Sequence, residues 1–161
     1  MTTIHRYDPA DADDLWAMLA PVFRAGDTYA VDPDISREDA IAFWTGGVHE
    51  AWMAEAEGEA VGTYYIQPNQ MGGGRHVCNC GYVTAAAARG RGVARAMLEH
   101  SLDYAKGAGF EAMQYNFVVS TNVRAIATWK AYGFDIVGRL PKAFAHPEEG
   151  MVDALVMFKT L

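Results

Sequence analysis

The chain has 161 residues, 51% hydrophobic and 20% charged, with a formal net charge of −7. A domain of this length buries roughly 70% of its unfolded surface, so one unit spanning residues 1–161 needs neither a disulfide nor a metal to hold its core. The acidic balance argues against bulk nucleic-acid or anionic-membrane binding, which calls for a basic surface.

No apolar run approaches the ~20 residues of a bilayer span. The polar, acidic start "MTTIHRYDPADADD" has neither signal-peptide nor transit-peptide character. Cys78 and Cys80 lie too close together to staple a fold, as is usual in a reducing compartment. A cytoplasmic location is therefore expected.

In chain order, Thr2 to Tyr7 alternates weakly and predicts a first strand, and "DPADADDLW" marks a helix start. Leu15, Met18, Leu19, Val22 and Phe23 recur at helical spacing. "GDTYAVDPDIS" is a turn-rich connection, after which Ser36 and Asp39 resemble a capping box for a second helix through Trp44. Ala51–Ala54 and Val61–Ile66 read as a hairpin around "EAEGEA", and His76–Thr84 as a third β run after "GGGR".

The third helix follows "RGRG" with Ala94, Met97, Leu98, Ser101, Leu102 and Ala105 on one face, and ends at "KGAGF". Glu111–Val119 is a strand, Asn122 to Tyr132 a short helix, and "FDIVGRL" and "MVDALVMFK" two final strands. A strand, helix and strand in the middle imply a parallel pair with a right-handed crossover. The remaining pairings read as antiparallel. The expected fold class is α+β, a mixed, mostly antiparallel sheet of about seven strands with about four helices.

The stretch "RGRGVA" (Arg89–Ala94) lies between a strand end and the first turn of a helix, where backbone N–H groups lack helical acceptors and the dipole is positive. Gly90 and Gly92 permit close approach of an anion, and Arg89 and Arg91 add charge-assisted donors. A pyrophosphate fits better than an extended polyanion; a solvated basic turn is the alternative. Neither a P-loop nor a dinucleotide-binding fingerprint is matched.

"RGRGVA" resembles the RxxGxA form of the cofactor loop of the GNAT superfamily of N-acetyltransferases. In that superfamily a strand, an Asn, a short helix and a Gly-Phe pair follow about 30 residues later. Here that run is "NFVVSTNVRAIATWKAYGF", with Asn122, Ala125, Gly133 and Phe134 in place. Within the superfamily, "NVRAIATWKAYGFDIVGRLPKAF" followed by "VDALVMFK", with the spacing of Asn79, Asn116 and Asn122, resembles the branch of azetidine-2-carboxylate N-acetyltransferases.

The resemblance implies that the parallel pair is centrally splayed. It also implies that acetyl-CoA is the cosubstrate and that transfer is direct to a small amine, an amino or cyclic imino acid. Cofactor contacts are then expected from Val83, Arg89, Gly90, Arg91, Gly92, Val93, Ala94, Asn122 and Trp129. A homodimer is implied by the same likeness.

The chain departs from the superfamily at two catalytic positions. Trp129 stands where many members have a tyrosine acid, and an indole N–H donates a hydrogen bond without transferring a proton. The strand "HVCNCGYV" has no Glu to serve as base. The branch resemblance casts Asn79 as positioning the acceptor, and Asn116 with the Phe117 backbone N–H as polarising the thioester carbonyl; such donors are worth ~2.7–4 kcal/mol each in a transition state. Asp153 and His146 are candidate bases, with water the alternative.

Tyr29, Asn79, His146 and Asp153 are the expected acceptor contacts, and no metal ligand set is expected. Four of the candidate residues have a structural alternative: Asn79 a solvated strand residue, Asn116 a splay-edge satisfier, Asn122 a helix cap, Asp153 a structural acceptor. A CoA-binding sensor without catalysis and a peptide or protein N-acetyltransferase are the competing functions.

Overall fold

The computed structural model describes all 161 residues. Seven strands form one sheet: β1 (Thr2–Arg6), β2 (Glu50–Ala56), β3 (Glu59–Pro68), β4 (Val77–Thr84), β5 (Ala112–Val119), β6 (Asp135–His146) and β7 (Gly150–Thr160). Four α-helices accompany them: α1 (Ala12–Ala25), α2 (Arg37–Thr45), α3 (Val93–Gly107) and α4 (Val123–Ala131). The sheet order is β1-β2-β3-β4-β5-β7-β6, with every pairing antiparallel except β4 with β5. The expected α+β architecture is the observed one.

Strand alternation builds two cores, one on each sheet face. Cys78, Cys80, Met113, Tyr115 and Met157 pack with Met97, Leu98 and Leu102 of α3, and with Trp129 of α4 at the margin. Ala51, Met53, Tyr65 and Val83 pack on the other face with Leu15, Leu19 and Phe23 of α1 and with Ala40 and Trp44 of α2. Ala94, expected on the buried face of α3, is exposed, and Val93 takes that place.

Turn chemistry is as the residues dictate. Glu57 and Gly58 both have positive φ between Ala56 and Glu59, the two-residue hairpin turn that matches strand twist. Ser36 caps α2 by accepting from the Asp39 N–H, while the full reciprocal capping box forms earlier, at Asp8 and Asp11.

Two irregularities in the central strands position the site. The β4–β5 ladder consists of only Val77 with Ala112 and Cys78 with Met113, so the strands part from Asn79 onward. On the other edge of β5, the register with β7 slips between Tyr115 and Val118, leaving Asn116 and Phe117 without ladder partners there. Such a bulge re-aims side chains beside a gap.

No helix is long and apolar enough to cross a membrane.

Candidate active site

The gap between β4 and β5 opens toward the N-terminus of α3, and that terminus is built to hold an anion. Gly90 and Gly92 sit at φ 78° and 80°, a region open to glycine, and a Cβ on either would meet nothing within 4 Å. The N–H groups of Gly90, Gly92, Val93, Ala94 and Arg95 find no acceptor in the chain, and Gly92, at the N-cap, has no side chain to satisfy them. Four consecutive free donors at a helix N-terminus form a concave anion site. Arg89 is exposed and free of ion pairs, whereas Arg91 reaches back to Glu57 at 3.7 Å.

These residues fit the pyrophosphate of CoA, which needs backbone donors and one or two guanidinium groups. Val93 is buried in the α3 core and contributes its N–H alone, while Ala94 is exposed. Val83 is buried against α1 and α2, so only its main chain remains for a cofactor. Asn122 stands at the N-cap of α4 but makes no side-chain cap bond. Its amide is uncommitted, and the capping alternative is not realised.

Trp129 lies 5.2 Å from Tyr82 and 4.9 Å from Tyr115, ring to ring, and its indole N–H makes no hydrogen bond within the chain. The tyrosines beneath it do not substitute for the missing acid. Ser101 donates to the Leu98 carbonyl, so Tyr82 donates to Ser101 at 2.7 Å and Tyr115 to Tyr82 at 3.1 Å. That chain of hydroxyls runs inward and ends on a backbone carbonyl. Burial pushes both phenols well above their ordinary range.

On the α1–α2 face the parted strands are bridged by amides. Asn79 is 7% exposed, so the solvated alternative fails; its Nδ2 donates to the Gln114 carbonyl across the gap at 2.9 Å. A carbonyl only accepts, which fixes the amide and turns Oδ1 toward Gln67 Nε2 at 3.3 Å. Farther along, Gln114 Nε2 donates to Asn116 Oδ1 at 2.9 Å, and Asn116 Nδ2 to Asn69 Oδ1 at 2.6 Å. The carbonyl oxygens of Asn79 and Asn116 are thus occupied, and each keeps one N–H uncommitted. Gln67 and Asn69 were missed in the sequence because their pairing depends on cross-strand register.

Tyr29 joins an aromatic wall with Phe23 and Trp44, and its hydroxyl donates to the Tyr82 carbonyl at 2.9 Å. Tyr65 lies directly over Gly81, where a Cβ would fall 2.5 Å from its ring.

Neither expected base is poised. Asp153 accepts from the Lys142 N–H at 2.9 Å and from Arg139 at 2.7 Å, and those donors hold its carboxyl below the ordinary range. It braces the β6 bulge, where Lys142 has φ 53°, in keeping with its structural alternative. His146 closes the β6–β7 turn by accepting the N–H groups of Glu148 and Glu149 on Nδ1, each at 3.1 Å. That occupies the lone pair a base would use. Phe117 packs edge-on against Phe144 at 6.1 Å.

A separate groove of about 380 Å³ lies at the C-terminal end of α3, lined by Glu50, Arg75, Tyr104 and Phe110 among others, away from the arginine loop.

Comparison with known proteins accords with this geometry. The model of the acetyltransferase (GNAT) family matches residues 13–134. A GCN5-related N-acetyltransferase from Kribbella flavida is 36% identical, with 99% of this chain and 98% of that one covered at a TM-score of 0.93. The N-acetyltransferase aca1 of Schizosaccharomyces pombe is 32% identical over 97 residues, 60% of this chain and 46% of that protein. The chain spans less than half the length of the curated relatives it matches. A phosphinothricin acetyltransferase from Sinorhizobium meliloti, solved with acetyl-CoA, shares the fold at a TM-score of 0.86 and 19% identity, covering 99% of this chain and 88% of that one. The chain belongs to the GNAT family of N-acetyltransferases, a family that uses acetyl-CoA.

Proposed function

We propose that the acceptor is a small amine bearing a carboxylate, an amino acid or cyclic imino acid, acetylated directly in the gap between β4 and β5. The carrying observation is the amide strip: Asn79 and Asn116 have their oxygens occupied and N–H groups to spare, on the two strands, β4 and β5, that border the gap and carry no carboxylate. Donors without competing acceptors favour an anionic group on the acceptor. The likeness to azetidine-2-carboxylate N-acetyltransferases supports the same reading.

In it, the free N–H groups of Gly90, Gly92, Val93 and Ala94, with the Arg89 and Arg91 side chains, hold the pyrophosphate, and Val83 contributes its main chain. Asn122 and Trp129 flank the pantetheine arm, and the Trp129 N–H steadies the departing thiolate. Asn116 and the Phe117 N–H polarise the thioester carbonyl. Asn79 orients the acceptor, with Tyr29 as pocket wall, and Asp153 and His146 shape the pocket through the β6–β7 hairpin without taking a proton. The chain works as one domain, in the cytoplasm, as a homodimer with neither nucleic acid nor membrane as partner. Ile136, Val137 and Leu140 on edge strand β6, exposed at 38%, 60% and 39%, offer the apolar surface a dimer would cover.

The test is thiol release from acetyl-CoA with a panel of amino acids, cyclic imino acids, their carboxamides and N-terminal peptides. Turnover confined to carboxylate-bearing small amines supports the reading. Turnover of peptides alone replaces the acceptor class, and CoA binding with no turnover across the panel overturns it.

A further inference from the structure

We propose that His49 is the proton acceptor for the incoming ammonium group, an inference that rests on the amine-acetylating reading above. His49 immediately precedes β2, whose Glu50 pairs with Ile66, so it lies abreast of Gln67, and Gln67 pairs with Asn79. Alternation puts His49 on the α1–α2 face with Ala51, Tyr65 and Asn79. With strands 4.7–4.9 Å apart, its backbone is about 10 Å from that of Asn79, a span that the imidazole and one water cover.

The tautomer is fixed by chemistry. Nδ1 lies 3.1 Å from the Trp44 carbonyl, which only accepts, so Nδ1 carries the hydrogen and Nε2 the lone pair. Nε2 has no partner in the chain and is open to water, since the one sealed, unpartnered side-chain polar atom is Trp52 Nε1. The ring stacks on Tyr65 at 4.1 Å with planes 1° apart, and Tyr65 in turn lies over Gly81 at the gap. A base held on a rigid aromatic ring keeps its position.

The strands that border the gap supply no competing base. From β4 and β5 the face presents Asn79, Gly81, Val83, Gln114 and Asn116, none of which titrates near neutrality. Against the imidazole pack Phe43 of α2, 5.9 Å away, and Tyr65, whose phenol burial pushes up to about 12. His49 forms no ion pair, and the neighbouring Glu50 carboxylate is bound to Tyr104 and Arg6 instead.

The step balances. The ammonium gives one proton to His49 Nε2, and the freed nitrogen lone pair forms the N–C bond at the thioester carbonyl. The C–S bond breaks with its electron pair on sulfur, and the second proton of the nitrogen ends on the thiolate. One proton then leaves His49 for solvent.

The experiment compares kcat/KM against pH for the wild type, His49→Phe, which keeps a ring on Tyr65, and His49→Ala with and without added imidazole. CoA affinity is measured alongside by calorimetry. At neutral pH His49→Phe is expected to lose about 10²-fold in kcat/KM, in the range for general-base catalysis. Its rate then climbs tenfold per pH unit where the wild type levels off. Imidazole restores His49→Ala at least tenfold, with CoA affinity unchanged in all three proteins. An active wild type whose His49→Phe variant keeps the same profile overturns the assignment, as does a folded, impaired His49→Ala that ignores imidazole. A wild type that acetylates no amine overturns the underlying reading and this inference with it.

Discussion

Replacing Gly92 by Asp separates what the arginine loop does for folding from what it does for binding. Gly92 has φ 80° and ψ 8° at the N-cap of α3, and a side chain there would enter open space. The left-handed backbone costs a non-glycine residue about 1–2 kcal/mol. An Asp at the N-cap returns about 0.5–2 kcal/mol by accepting helix N–H groups and meeting the positive dipole end. Net stability should therefore move by no more than about 1.5 kcal/mol.

Binding is a different matter. The carboxylate occupies the donors that the pyrophosphate would use, from Gly92 to Arg95, and adds like-charge repulsion. Charge-assisted hydrogen bonds contribute about 1.5–3 kcal/mol each, so losing two weakens CoA binding by about 3–6 kcal/mol, or 10²- to 10⁴-fold. Thermal melts give the first quantity and calorimetric CoA titration the second. A folded Gly92→Asp protein with wild-type CoA affinity would refute the phosphate-cradle assignment.

Other expectations follow from the same geometry. Asn116→Ala should lower kcat by tenfold or more while changing CoA affinity less than twofold, as for a contact made mainly in the transition state; steady-state kinetics with calorimetry decide it, and equal losses indicate a structural role. Asp153→Asn should lower the melting temperature at neutral pH, because the depressed carboxyl pKa stabilises the fold above the unfolded value and loses that effect as pH falls through the folded one. Wild type and variant should converge in acid, and a change in the pH-rate profile instead would return Asp153 to the catalytic machinery. His100 has a pKa lowered by burial and sits 2.7 Å from the Tyr64 hydroxyl. The unfolded chain therefore takes up its proton first, and stability should fall as pH drops below about 6.5. His100→Gln should flatten that part of a melting-temperature profile, and an unchanged slope would exclude the pair as its source.

Local signals made much of this molecule legible. The spacing in α1 and α3, the glycine-rich entry to α3 and the Asn122 to Phe134 run are all written in consecutive residues, and they sufficed for the fold and for the free donors at the start of α3. The amide strip was read less completely, because its partners come from three strands and the loop after β3. Asn79 shows its orientation only through the Gln114 carbonyl, and Asn116 only through Gln114 and Asn69.

Asp153 read equally as a functional carboxylate and as a structural acceptor, and only the left-handed turn at Lys142 shows the backbone donor that commits it. His146 was similarly committed by a turn three residues long. His49 gave no motif at all, since its tautomer is set by a carbonyl five residues away and its neighbour is chosen by strand register.

In the proposed function, an anion-binding loop and a neutral amide strip together deliver acetyl from CoA to a carboxylate-bearing amine. The most direct measurement is the ratio of kcat/KM for a cyclic imino acid to that for its carboxamide, followed by thiol release at saturating acetyl-CoA. A ratio of tenfold or more in favour of the carboxylate is expected, since one charge-assisted hydrogen bond of about 1.5–3 kcal/mol is lost with the amide. A ratio near one, or a preference for the carboxamide, would contradict it.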